Sequence, residues 1–248
     1  HVFDNLMDEE TRNKTVAFEG IYPTTPVCGG LMVQTDCGHT VVNYPKVLKY
    51  GLKAIKEDVI YHKKQTEEMY CFDRKAKLAE YEAMIISLDA AMAYSKRYAD
   101  LARQLAEQEA DETRKAELLE IARVCEKVPA EPADSFREAV QCIAFIHILC
   151  WCEVLNVSLS FGRVDQYLYP YYKKSVLDLK EITEEEAIEL LHMWFIKTNE
   201  HTELYNYDNA QTQMGYQLGI QMTVGGQTQD GKDAVNELSL TLIEAERN

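Results

Sequence analysis

Four side chains have the chemistry and setting to meet a small polar ligand: Asp36, His39, Ser160 and Gln221. An imidazole changes charge near neutral pH, so His39 could donate a proton or a hydrogen bond to a reacting oxygen. Asp36, close before it, could orient that ring or meet a polar group directly. Each has a plainer reading, His39 as a residue that caps or braces a loop and Asp36 as a turn aspartate. Ser160 ends a small-polar strand, Ser158-Leu159-Ser160, where a hydroxyl could orient a ligand at a cavity mouth. It could equally be small so that neighbouring strands can approach. Gln221 falls on the polar face of a second strand, where it could line the same hollow or pair with a buried backbone group.

The cysteines add little to this set. There are seven, at 28, 37, 71, 125, 142, 150 and 152, with no Cys-x-x-Cys among them. Cys142, Cys150 and Cys152 sit in apolar surroundings that suit buried free thiols, which fits a reducing cytoplasm. Cys142, His147 and Cys150 share a helix at offsets that serve a common metal poorly, so no metal site is read here.

Helices must do most of the positioning. Residues 1–43 are loop-rich, punctuated by Pro23, Pro26, Gly29, Gly30 and Gly38. From Tyr44 the apolar positions Val47, Leu48, Leu52, Ile55 and Val59 recur at helical spacing. A long helical region is expected over about 64–109, and another from Asp111 that Val128-Pro129-Ala130-Glu131-Pro132 must end. Ser135 with Glu138, and Thr183 with Glu186, read as capping boxes. The first opens a nearly all-apolar helix to about Leu155, the second an amphipathic one through Trp194. Residues 216–224 alternate as a strand, Gln217, Gly219, Gln221 and Thr223 opposite Leu218, Ile220, Met222 and Val224. Gly225-Gly226 ends it, and a last helix follows Asp233. Strands separated by long crossovers imply parallel pairing in a helix-rich α/β fold.

The chain has 248 residues, 46% hydrophobic and 27% charged, enough for a sizeable core. A formal net charge of −15 argues against nucleic acid, whose phosphates it would repel. The apolar run around Cys142–Val157 is broken by His147 and Glu153 and falls short of a membrane span. The chain opens on His1-Val2-Phe3 without a signal-peptide pattern and stops inside a helical pattern at Glu244-Ala245-Glu246, so both ends are expected to be truncated.

Four ordered segments resemble the glycyl radical enzymes, the family of pyruvate formate-lyase and the radical diol dehydratases. They are Cys37-Gly38-His39 running to Leu48, Val128-Pro129 running to Ala139, Ser160 to Tyr172, and Thr223-Val224-Gly225-Gly226 with Asp230 to Leu238. The resemblance implies a ten-stranded α/β barrel, of which residues 1–248 would be part of a single domain, an N-terminal-half fragment. It implies His39 as a catalytic contact to a departing hydroxyl, with Asp36, Ser160 and Gln221 as substrate contacts. Arg163, Asp165 and Gln166 follow the family pattern and are expected to be structural, an ion-pair and hydrogen-bond clasp between strand end and helix. The radical glycine and the thiyl cysteine of that family have no match. In Arg163-Val164-Asp165-Gln166-Tyr167 a glutamine stands where the glycine must be, and Cys71-Phe72-Asp73 carries Asp in place of Glu.

The expected activity is a dehydratase or lyase eliminating water or another leaving group, with the fragment inactive alone and holding no cofactor or metal. The glycyl radical would lie in a missing C-terminal part, installed by a radical S-adenosylmethionine activating enzyme. A cytoplasmic homodimer without nucleic-acid or membrane partners is implied. The alternatives are carbon–carbon cleavage of the pyruvate formate-lyase type, against which His39 stands in place of a carboxylate-binding arginine, and a non-catalytic helical binding protein.

Overall fold

The structure, a computed structural model, describes residues 40–154, 159–200 and 220–247. Asp36 and His39 lie outside them, as do residues 216–219 of the expected strand. The elements are β1 (Thr40–Val41), α1 (Tyr44–Glu68), α2 (Arg74–Gln108), α3 (Glu112–Lys127) and α4 (Phe136–Val154). Then come β2 (Leu159–Ser160), β3 (Gly162–Arg163), α5 (Val164–Tyr172), α6 (Glu184–Asn199), β4 (Met222–Thr223) and α7 (Glu237–Arg247). A π-helical turn over Lys173–Asp178 extends α5.

The arrangement is helix-rich α/β, with pairing that is parallel and short. β1 pairs with β2, Val41 opposite Ser160, and β3 pairs with β4, Gly162 opposite Met222. Phe161 joins the two ladders, and its N–H donates to the Gln221 carbonyl at 3.0 Å. Successive residues of a strand turn their backbone groups to alternate edges, so 159–163 serves β1 along one edge and β4 along the other. No barrel closes among the described residues.

Behind the strands, Tyr44, Leu48, Phe136, Ile143, Phe161, Leu168, Leu191, Trp194 and Leu238 form one core from α1, α4, α5, α6 and α7. In and around β4, Ile220, Met222 and Val224 pack against this core, while Gln221 and Thr223 stay exposed. The period-two reading of that segment therefore holds where it is described.

Two helix features differ from the sequence reading. Met69 to Asp73 interrupt the expected 64–109 helix, because α1 and α2 fold back on each other and the chain must reverse there. Tyr70, Cys71, Phe72 and Asp73 are also indifferent helix formers. The other is a kink inside α1 at Gly51, where φ is 72° and ψ is 164°. There the 129–133 segment docks: Leu52 N–H donates to Pro129 O at 2.8 Å, Lys53 N–H to Ala130 O at 3.0 Å, and Ala133 N–H to Leu48 O at 3.0 Å. A Cβ on Gly51 would lie 2.5 Å from Ala130 O. The prolines that stop α3 thus deliver a segment into a gap that only glycine leaves open.

Of the two expected capping boxes, Thr183 and Glu186 form both reciprocal bonds. Ser135 accepts from Glu138 N–H at 3.3 Å, but the Glu138 carboxylate takes Asp134 N–H at 2.8 Å instead of that of the cap residue. Arg123 and Lys127 draw it away, as described below.

Candidate functional site

Ser160 and Gln221 are brought side by side by the strand pairing. The Ser160 hydroxyl accepts from Gln221 N–H at 3.4 Å, so the two meet through the glutamine backbone while its side chain stays exposed. Opposite Ser160, Val41 is 61% exposed, so this edge of the ladder is uncovered by described residues. Gly162, at φ 71°, would place a Cβ 3.1 Å from the Val41 side chain, and its lack of one lets β1 lie close. Thr40 follows His39 directly in the chain.

Phe161, between Ser160 and Gly162, is held on every side. Its ring stacks on His147 at 4.2 Å between centroids, meets Trp194 edge-on at 4.6 Å and lies 5.8 Å from Tyr44. Its carbonyl accepts from the Tyr167 hydroxyl at 3.0 Å. Tyr44 Oη and His147 Nδ1 lie 3.1 Å apart in a buried hydrogen bond joining the start of α1 to α4. Burial holds the Tyr44 and Tyr167 phenols well above their ordinary titration range, so both stay neutral and act through hydrogen bonding and packing. Burial also pushes the Cys142 thiol up to about 12 and Cys125 up to about 11, leaving neither as a thiolate near neutral pH.

Arg163, Asp165 and Gln166 close on the segment after β4. Arg163 donates to Gly225 O at 2.7 Å and Gln227 O at 3.0 Å. Asp165, fully buried, accepts from Gly225 N–H at 2.6 Å and from the Ser239 hydroxyl. Gln166 donates to Ala234 O at 2.8 Å. The arginine and aspartate do not pair with each other as the sequence reading expects. Each instead reaches the 225–239 segment, where Gly225 and Gly226 at positive φ (67° and 85°) turn backbone groups toward them.

A second polar centre escaped the sequence reading beyond its capping role. Glu138, 3% exposed at its side chain, accepts from Arg123 at 2.7 Å and Lys127 at 2.7 Å. Desolvation would raise its carboxyl, but bonds from Lys127, Arg123 and the Asp134 N–H hold it below the usual range. Two basic residues one turn apart on α3 were the available signal. The Tyr44–His147 bond was also missed, because it joins residues 103 apart and no local pattern announces it. Among the described residues no three His, Cys, Asp or Glu side chains gather to hold a metal, and no helix is long and apolar enough to cross a membrane.

The family model described as pyruvate formate lyase-like matches residues 3–248. The chain belongs to that family. It is 36% identical over 209 residues to isethionate sulfite-lyase of Nitratidesulfovibrio vulgaris (strain Hildenborough), covering 84% of this chain and 25% of that protein. Among solved structures it resembles the glycerol-bound B12-independent glycerol dehydratase of Clostridium butyricum, with a TM-score of 0.80, 37% identity, and coverage of 86% of this chain and 26% of that one. It also resembles a glycyl radical enzyme of Archaeoglobus fulgidus, with a TM-score of 0.77 and 35% identity over 85% of this chain and 27% of that one. The chain spans about a quarter of the length of these relatives, within their N-terminal part.

Proposed function

We propose that residues 1–248 are one stretch of barrel wall in a single pyruvate formate-lyase-like domain, belonging to a cytoplasmic, homodimeric glycyl radical dehydratase or lyase. The substrate is a small polar molecule carrying a leaving group beside an abstractable hydrogen. The observation that supports this best is the strand register, which sets Ser160 beside Gln221 and opposite Val41, two residues after His39. Relatives that share this framework act, by name, on glycerol and isethionate.

The rest of the enzyme would supply the hydrogen-atom abstraction and return, through a thiyl cysteine and a glycyl radical installed by a radical S-adenosylmethionine activating enzyme. The work of this chain is polar. His39 donates a hydrogen bond or proton to the departing group, which carries negative charge as it leaves. Asp36 holds the imidazole or a substrate hydroxyl, and the Ser160 hydroxyl orients the substrate against it. Gln221 lines the same hollow, and Arg163, Asp165 and Gln166 keep the loop after β4 in place. This chain alone turns over nothing.

The test is anaerobic turnover of glycerol and, separately, isethionate by the intact, activated enzyme. Ser160→Ala should cut kcat/KM about tenfold, and His39→Ala about a hundredfold or more, with the glycyl radical signal unchanged. A full radical signal with wild-type turnover in both variants would sink the reading.

A further inference from the structure

We infer that the buried Tyr44–His147 pair is the positioning element for Ser160, an inference that rests on the reading of Ser160 just given. Among the described residues, the Ser160 side chain, on a partly buried residue, makes one 3.4 Å hydrogen bond, and its backbone pairs with β1 opposite Val41. Its place is set by its neighbour. Phe161 offers a ring, an N–H and a carbonyl, and each is engaged: the ring by His147, Tyr44 and Trp194, the N–H by Gln221, the carbonyl by Tyr167. With Phe161 held, the rotation of the strand and the direction of the Ser160 Cα–Cβ bond are set as well, which narrows where its hydroxyl can reach.

One anchor of the ring beneath Phe161 is the hydrogen bond between His147 Nδ1 and the Tyr44 hydroxyl. Tyr44 also stacks on Tyr167, at 5.8 Å and 27°, the residue that holds the Phe161 carbonyl. One phenol therefore controls two of the three restraints. It also sits at the first turn of α1, its N–H bonded to Val42 O at 2.8 Å, directly behind β1. The pair thus ties β1, which follows His39 in sequence, to the strand that carries Ser160. Neither ring meets the ligand in this scheme, since Tyr44 and His147 are 0% and 1% exposed on the far side of Phe161.

Tyr44→Phe removes the bond and keeps the ring, so packing changes little. In the intact, activated enzyme assayed with glycerol and isethionate, it should lower kcat about tenfold while KM moves less than about twofold, well below the melting temperature, because small misplacements of an orienting group act on the chemical step. His147→Asn, whose amide can offer either a donor or an acceptor near the position of Nδ1, should recover more activity than His147→Leu. Combined with Ser160→Ala, Tyr44→Phe should add almost no further loss, since both changes remove the same oriented hydroxyl. Losses that multiply fully in the double variant, or a Tyr44→Phe enzyme that only melts lower, would overturn the positioning role and leave the reading of Ser160 intact. Wild-type kinetics in Ser160→Ala would take down both.

Discussion

Asp165 is fully buried, its carboxyl accepting one backbone and one hydroxyl hydrogen bond from the segment after β4. Asp165→Ala would leave the buried Gly225 N–H without its acceptor and the Ser239 hydroxyl with only a long 3.4 Å contact to Asn236 Oδ1. A buried orphan costs roughly 1–3 kcal/mol, and chemical denaturation should show a loss in that range, with Asp165→Asn less affected. An unchanged midpoint would mean the loop holds by packing alone. At this scale the sequence was informative about identities and poor about partners. Arg163, Asp165 and Gln166 stood out as a polar run at a strand end, yet their partners lie 62, 60 and 68 residues further on. Ser160 was legible as a small residue ending a strand. The ring that steadies its neighbour was not, because His147 reads as one more buried member of an apolar helix.

Gly51 is where element and backbone chemistry meet. Its φ and ψ lie in a region open essentially only to glycine, and the 129–133 segment leaves no space for a methyl group. Gly51→Ala should cost about 3 kcal/mol or more and release the docked segment, read as faster amide exchange at Leu52, Lys53 and Ala133. The contrast with the Thr183 cap is instructive. That cap was legible because all its parts lie within four residues. The kink was not, because Gly51 needs explaining only once residues 129–131 occupy the gap, and helical periodicity runs through it undisturbed. The turn at 69–73 was hidden for a similar reason: flanking charged helices of good propensity masked a few weak positions.

For the molecule as a whole, the buried Glu138 centre makes acid the natural denaturant. Its folded carboxyl titrates below the unfolded value of 4.5, so its contribution is complete above that pH and disappears as the pH falls through the lowered folded value. Stability should therefore drop below about pH 4.5, and Glu138→Gln should flatten that acid limb while lowering stability at neutral pH. Denaturation midpoints between pH 3 and 7 decide it. The outer faces of α6 and α7 leave Met193, Ile196, Leu240 and Ile243 about half exposed or more. Expressed alone, the chain should bind an apolar dye while folded, and a folded chain that binds none would contradict this.

The strand pairing has a kinetic corollary. β1 and β2 join residues 119 apart, and β3 and β4 join residues 60 apart, whereas α2 and α3 adjoin in sequence and pack against each other. Closing large loops comes late, after local helices have formed. In pulse-labelled refolding, amides of the α2–α3 hairpin should gain protection first and Phe161 among the last. The candidate site would then be the final part of this stretch to assemble, on a helical frame already in place.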